Sequence, residues 1–207
     1  MSFMIALIYD KFMAPAEEAC LRDWRRELLK RVHGDILEIG AGTGANIDFY
    51  PELVNSIVFS EPDKAMRGQL AARVADSGFK NATVSSASAE DIGAEDEAYD
   101  FIVTSLVCCS VNNIDAVLKQ IHRALKPDGR LVFLEHVAAI EGTKRRKWQN
   151  FLNPFWRKVA GNCHLNRETE KAIVDAGFEI DDIKRESMRK APPFVRPTIR
   201  GSAVKSQ

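Results

Sequence analysis

Apolar residues along the chain come in short runs bounded by polar, glycine or proline residues, and these runs alternate with stretches of helical spacing. "DILEIG" (Asp35 to Gly40), "NSIVFSE" (Asn55 to Glu61), "ATVSS" (Ala82 to Ser86), "YDFIVTSLV" (Tyr99 to Val107) and "RLVFLEHV" (Arg130 to Val137) read as strands. Leu21, Trp24, Leu28 and Val32 recur at i, i+3, i+7 and i+11, which predicts a helix starting near Pro15 with a stripe that docks on a sheet. A second helix is predicted from Pro62, at its first turn, to Gly78. A third is capped by Asn112 or Asn113 and runs to Leu125, where the turn "KPDG" leads into the fifth strand. Strands alternating with helices in this way favour a parallel sheet.

After Val137 the pattern changes. "GTKRRKWQNFLNPFWRKVAG" is helical and basic, with a break expected at Pro154, and "FEIDDIKRE" and "RPTIRGSAVK" alternate like an antiparallel pair. The expectation is an α/β fold: a Rossmann-like, seven-stranded mixed sheet with helices on both faces and its last two strands antiparallel. With no repeat or Gly/Ser linker, residues 1–207 read as one domain. Within it, 1–33 form an N-terminal helical cap and 141–166 a basic aromatic helical insertion near the active site.

The hydrophobic fraction of 45% fits a globular protein with a full core. Lys plus Arg and Asp plus Glu both total 29, so no whole-molecule field attracts nucleic acid, and no such partner is expected. The N-terminal "MSFMIALIYDKF" is apolar, but Asp10 and Lys11 stop it short of a membrane span, and it lacks the flanks of an export signal. Cys20, Cys108, Cys109 and Cys163 have no CxxC spacing, which fits a reduced cytoplasm and predicts no metal site.

The chemistry concentrates in "LEIGAGTG". Gly40, Gly42 and Gly44 lack a Cβ, so a strand-to-helix turn there can take positive φ and let a ligand touch the main chain. Read literally, Gly40-x-Gly42-x-x-Ala45 with Glu61 also satisfies the dinucleotide fingerprint, so the glycines by themselves admit NAD or another adenosine ligand. Glu38 tips the balance, because a carboxylate repels a pyrophosphate and favours the ammonium of a methionine moiety.

"LEIGAGTG", Glu61 after the second strand, "SASAEDI" after the third and "LKPDGRLVFLEHV" together resemble a class I S-adenosylmethionine-dependent methyltransferase. The resemblance covers the chain from about Gly34 to the C-terminal hairpin. "FYP", "LVCCSVNN", "EHVAA", "NPFW" and "CHLNRET" are further similar to the methyltransferase-like family that includes mammalian alkyl-thiol S-methyltransferases.

The resemblance implies that Gly40, Gly42 and Gly44 pass under the methionine and ribose of the cofactor, with Ala41 and Thr43 supplying adjacent backbone contacts. It places Glu38 either in ordering that loop or at the cofactor ammonium. Glu61, ending its strand at the carboxyl edge, can accept both ribose hydroxyl protons. Ser88 stands where the family pattern has an acid that receives the adenine amino group, which leaves Ala89 or Glu90 as partners. Pro62 and Met66 are candidates for the adenine face, although Met66 also shares a helical core stripe with Leu70 and Val74. Leu106 is placed near the sulfonium.

A thiol acceptor must become a thiolate. His136 beside Glu135, at the end of the fifth strand, is the first candidate base, and His164 the second. Cys108 and Cys109 read as pocket walls rather than nucleophiles. Lys144 to Lys158 mixes basic and aromatic residues; with Pro154 limiting the helix, a cap with solvated charges is favoured over weak contact with a membrane surface.

The expected function is S-adenosylmethionine-dependent methyl transfer, leaving S-adenosylhomocysteine, to a small apolar acceptor with a thiol as first guess. The alternatives are N-, O- or C-methylation of a lipid-like or quinone-like molecule, a nicotinamide-dependent dehydrogenase, and a cofactor-binding protein without catalysis.

Overall fold

A computed structural model describes the backbone of residues 3–206 and the side chains of 10–206. Much of the N-terminal apolar stretch, as far as its side chains are concerned, therefore lies outside the described residues. Among those described, no helix is long and apolar enough to cross a membrane.

The chain opens with α1 (Phe3–Ala16), a π-helical turn (Glu17–Leu21) and α2 (Arg22–Leu29). The first helix therefore begins well before Pro15, which lies inside α1. Proline has no N–H to donate to the carbonyl of Lys11, and that carbonyl belongs to an exposed residue where water can replace the donor. The π turn follows at once, closed by the Arg22 N–H donating to the Glu17 carbonyl. The expected stripe does face the protein, with Leu21 and Val32 buried and Trp24 and Leu28 half-buried.

The strands are β1 (Gly34–Ile39), β2 (Val54–Ser60), β3 (Ala82–Ser85), β4 (Tyr99–Ser105), β5 (Leu125–His136), β6 (Phe178–Ser187) and β7 (Pro197–Lys205). They form one sheet in the order β3-β2-β1-β4-β5-β7-β6. The first five pair in parallel, and β7 inserts antiparallel between β5 and β6. This is the expected mixed architecture. "KPDG" is a bulge within β5 rather than a turn before it: Tyr99 pairs with Leu125, then Phe101 with Arg130, so the intervening residues loop out.

Side-chain alternation explains the two cores. Leu37 and Ile39 of β1, Ile102 of β4 and Leu131 and Phe133 of β5 join Val117, Leu118, Ile121 and Ile173 on one face. Ile36, Phe101, Val103 and Val132 join Leu29, Ile47, Ile57, Phe59 and Leu70 on the other. Central strands buried on both faces must be apolar at consecutive positions, which is why they read as continuous runs.

The helices after β2 are α3 (Lys64–Asp76), α4 (Ile114–Ala124), α5 (Lys144–Val159) and α6 (Thr169–Asp175). Asp63 caps α3 by accepting from the N–H groups of Ala65 and Met66, so Pro62 precedes the cap instead of occupying the first turn. Asn113, of the two candidates, caps α4 by accepting from Ala116. α5 runs through Pro154 unbroken, contrary to the expected break. Pro154 costs a hydrogen bond to the carbonyl of Asn150, but both residues are exposed, and water can satisfy that group. The short α6 has no counterpart among the helices expected from sequence.

Candidate active site

Because β1, β2, β4 and β5 run in parallel, their carboxyl ends meet at one edge, where ligands of open α/β sheets bind. The β1 end turns through Gly40, Gly42 and Gly44, whose φ values are 63°, 60° and 88°. Their roles differ. A Cβ on Gly40 would stand 2.6 Å from Val107 Cγ2 and one on Gly44 2.6 Å from Ile47 Cδ1, whereas one on Gly42 would meet nothing within 4 Å. The outer glycines make room for the protein's own packing, and Gly42 is where the backbone lies open to a ligand.

Neighbouring groups hold the loop from beneath. Ala41 donates its N–H to the Ser60 carbonyl at 2.9 Å, and its own carbonyl accepts from Gly44. Thr43 is buried, with its hydroxyl donating to Asp10 at 2.8 Å and its carbonyl accepting from Arg73. Ala41 and Thr43 are thus already tied to protein groups in the loop.

Glu38, next to the loop, is buried and accepts from the Tyr50 hydroxyl at 2.6 Å and the Asn46 amide at 3.0 Å. Arg25 of α2 donates to the Asn46 oxygen at 2.7 Å and to Ser105 at 2.6 Å, and pairs with Glu17 at 2.8 Å. Burial pushes the Glu38 carboxyl up to about 7, against the opposing effects of Tyr50, the Arg25 charge and Asn46. Of the two roles considered for Glu38, ordering the loop is the one these contacts display. Arg25, Asn46 and Tyr50 were not singled out from sequence. Asn46 and Tyr50 sit in "NIDFYP", a stretch whose polar residues next to a glycine turn are the available signal.

Glu61 sits just past β2 and is buried. One carboxylate oxygen accepts from the Gly42 N–H at 2.9 Å and the other from the Asp63 N–H at 2.8 Å. Burial raises its carboxyl above the ordinary value, and the two N–H groups oppose that shift. The carboxylate is thereby aimed beside the open backbone of Gly42. Around it, Pro62 is exposed and Met66 is buried. The Ser88 hydroxyl accepts from the Asp91 N–H, Ala89 belongs to the core, and Glu90 accepts from the Asn112 N–H at 2.9 Å.

The β4 and β5 ends are built differently. Leu106 follows β4 with φ of 61°, a conformation that a branched side chain adopts only under constraint; its N–H donates to the Leu134 carbonyl at 2.8 Å. One Glu135 oxygen accepts from the Val107 N–H at 3.3 Å, while Oε2 has no partner, and burial raises this carboxyl above its ordinary value. His136 is 1% exposed, with Nδ1 3.7 Å from Cys163 Sγ and Nε2 unpartnered. The buried indole N–H of Trp156, on α5, faces the Cys163 thiol and helps to lower it. His164 is committed elsewhere: its Nδ1 meets the Arg167 guanidinium at 3.0 Å, and burial, then that charge, hold it below its ordinary value.

Cys108 and Cys109 are buried at this end. Hydrogen bonding with Cys109 holds the Cys163 thiol below its ordinary range despite burial, and the same contact plus burial pushes Cys109 up. Cys109 Sγ, His136 Nδ1 and Cys163 Sγ lie within 4.8 Å of one another, and two sulfurs with one imidazole form a donor set of zinc type. Positions 109, 136 and 163 carry no metal-site spacing in the chain, so sequence reading did not bring them together.

The chain matches a family model described as a methyltransferase domain over residues 9–183. It is 35% identical over 178 residues to thiol S-methyltransferase TMT1B of Rattus norvegicus, covering 82% of this chain and 70% of the relative. The crystal structure of YcgJ from Bacillus subtilis shares the fold with a TM-score of 0.71 at 14% identity, over 90% of this chain and 99% of that one. Phosphoethanolamine N-methyltransferase 2 of Haemonchus contortus, in complex with S-adenosyl-L-methionine, aligns with a TM-score of 0.69 at 16% identity, over 89% of this chain and 53% of that one. The glycine turn, the carboxylate after β2 and a family match over most of its length lead to one conclusion: this chain belongs to the methyltransferase-domain family and is an S-adenosylmethionine-dependent enzyme.

Proposed function

We propose that the enzyme methylates a small apolar thiol. When bound, S-adenosylmethionine supplies a methyl group on a positively charged sulfur. The open backbone of Gly42 and the carboxylate of Glu61 fit its ribose: each Glu61 oxygen accepts one backbone N–H and keeps a second lone pair for a ribose hydroxyl. The other cofactor contacts follow by position, with Gly40, Ala41, Thr43 and Gly44 shaping the loop and Glu38 bracing it through Asn46. Pro62, Met66, Ser88, Ala89 and Glu90 border the adenine, and Leu106 lies by the sulfonium.

The observation that carries the acceptor reading is His136: a buried imidazole with a free Nε2 at the end of β5, the same sheet edge as Gly42 and Glu61. His136 takes the proton of the acceptor thiol, while Glu135, on the other face of β5, holds the turn after β4 by accepting from the Val107 N–H. Held by Gly42 and Glu61, the bound cofactor would offer its methyl group to the resulting thiolate and would keep the electron pair of the broken bond on its own sulfur. Alignment of the reacting atoms supplies much of the acceleration of such a displacement. The rat relative's name as a thiol S-methyltransferase supports the choice of sulfur.

The test is a screen of thiols, amines and phenols with labelled cofactor, read as S-adenosylhomocysteine release. Turnover confined to thiols is expected; amines or phenols turning over while thiols do not would replace the reading.

A further inference from the structure

α5 has two unlike faces. The inner one is fastened by Gln149, fully buried, whose oxygen accepts from the Ala139 N–H at 2.7 Å and whose amide donates to the Val137 and Phe194 carbonyls. Trp156 adds an edge-on contact with Phe194, ring centroids 5.2 Å apart. The outer face carries Trp148, Phe151, Phe155 and Val159, exposed by 60%, 76%, 67% and 61%. Steps of three, four and four residues set all four side chains in one line on the helix.

The case for a merely solvated cap rested on Pro154 ending the helix between Phe151 and Phe155. The helix continues, so the stripe is unbroken for roughly 16 Å. Lys144, Lys147, Arg157 and Lys158 are exposed around it, and the α5 sequence contains no acidic residue. Arg146, the cation that turns inward, pairs with Glu168 at 2.8 Å. Aligned aromatics open to water are uncommon on a monomer's surface. Bordered by cations and rich in Trp and Phe, this face has the chemistry of a helix lying in the headgroup layer, rings at the acyl boundary and ammonium groups among phosphates.

We infer that α5 seats the enzyme on an anionic membrane surface, its outer face in the lipid and its inner face over the acceptor pocket. This deepens the reading of an apolar acceptor, and only the delivery of that acceptor from the bilayer rests on it.

Flotation of the full chain with phosphatidylcholine vesicles, with and without phosphatidylglycerol, tests the proposal. The protein is expected to float with the anionic vesicles. A Trp148→Ser/Phe151→Ser/Phe155→Ser variant should lower the bound fraction roughly tenfold, with melting temperature and cofactor affinity retained because the three side chains touch solvent. A Lys144→Glu/Lys147→Glu/Lys158→Glu variant should lose the preference for anionic lipid. Flotation of the triple serine variant equal to the parent, indifference of the parent to anionic vesicles, or a dimer in sedimentation that the serine variant dissolves would each overturn the proposal. The readout contains no methyl acceptor, so a thiol screen that fails leaves flotation unaffected, and the reverse holds as well.

Discussion

The two sides of the catalytic edge are finished to different degrees. On the β1–β2 side, both carboxylate oxygens of Glu38 and of Glu61 accept hydrogen bonds from the protein. On the β4–β5 side, Glu135 Oε2 and His136 Nε2, on consecutive residues at the end of β5, are buried without partners. Among the described residues few buried side-chain polar atoms are in that condition, so two on consecutive residues mark this strand end out. Each such group costs about 1–3 kcal/mol, and folds retain them mainly where a ligand or a reaction uses them. On the function proposed above, the contrast corresponds to two jobs: a preorganised half for the cofactor, and a half completed by the acceptor.

The sharpest way to break this division is His136→Ala. Thiol turnover should fall roughly a thousandfold, the scale of a lost general base, with cofactor affinity within about twofold in calorimetric titration. Undiminished turnover would leave the open half without its proposed chemistry. Glu61→Ala should do the converse. Losing a charged acceptor for two ribose hydroxyls, together with the anchor on Gly42, is expected to weaken cofactor binding on the order of a hundredfold. An affinity equal to the parent's would remove Glu61 from the cofactor site.

Glu38 tests the finished half through pH. Its folded carboxyl titrates near 7, above the unfolded value of 4.5, so the folded state holds this proton more tightly. That contribution to stability is complete below about pH 4.5 and disappears as pH rises through about 7, amounting to roughly 3 kcal/mol at most. Glu38→Gln should flatten this slope in denaturant midpoints taken at pH 5, 6 and 7.5; an unchanged slope would place the titration elsewhere. The smallest effect is expected of Gly42→Ala. The added methyl points into ligand space, so cofactor affinity should drop roughly tenfold, while the φ of 60° costs about 1–2 kcal/mol of stability through backbone strain, without the clash that Gly40→Ala adds. A loss of stability equal to that of Gly40→Ala, whose Cβ strikes Val107, would erase the distinction drawn between these glycines.

The two halves were also unequally legible in the chain. The glycine turn and Glu61 are separated by one βα unit, and their meaning follows from local rules: positive φ after a strand, and a carboxylate at the next strand's end. The acceptor half draws Leu106, Cys109, His136, Trp156 and Cys163 from four separate segments, and nothing local links them. His136 was identifiable from its place at a strand end, whereas Cys163 and Trp156 come to that place only through the folding of α5 and the segment after it. The bracing of Glu38 by Arg25 was hidden for the same reason, since 13 residues and a change of element separate them.

Proline placed the other limit. Pro15 and Pro154 were both expected to bound helices and both lie inside them, because an exposed carbonyl one turn earlier can turn to water. Whether that carbonyl is exposed is not a property of the proline's neighbours in sequence.

By itself, then, the chain determined its strands, their parallel and antiparallel character, the glycine turn and the kind of cofactor, since periodicity, backbone freedom and capping act over a few residues. Tertiary structure alone decided which polar groups are left open at the acceptor end and that the aromatic line of α5 faces outward, because burial depends on what the rest of the fold brings alongside.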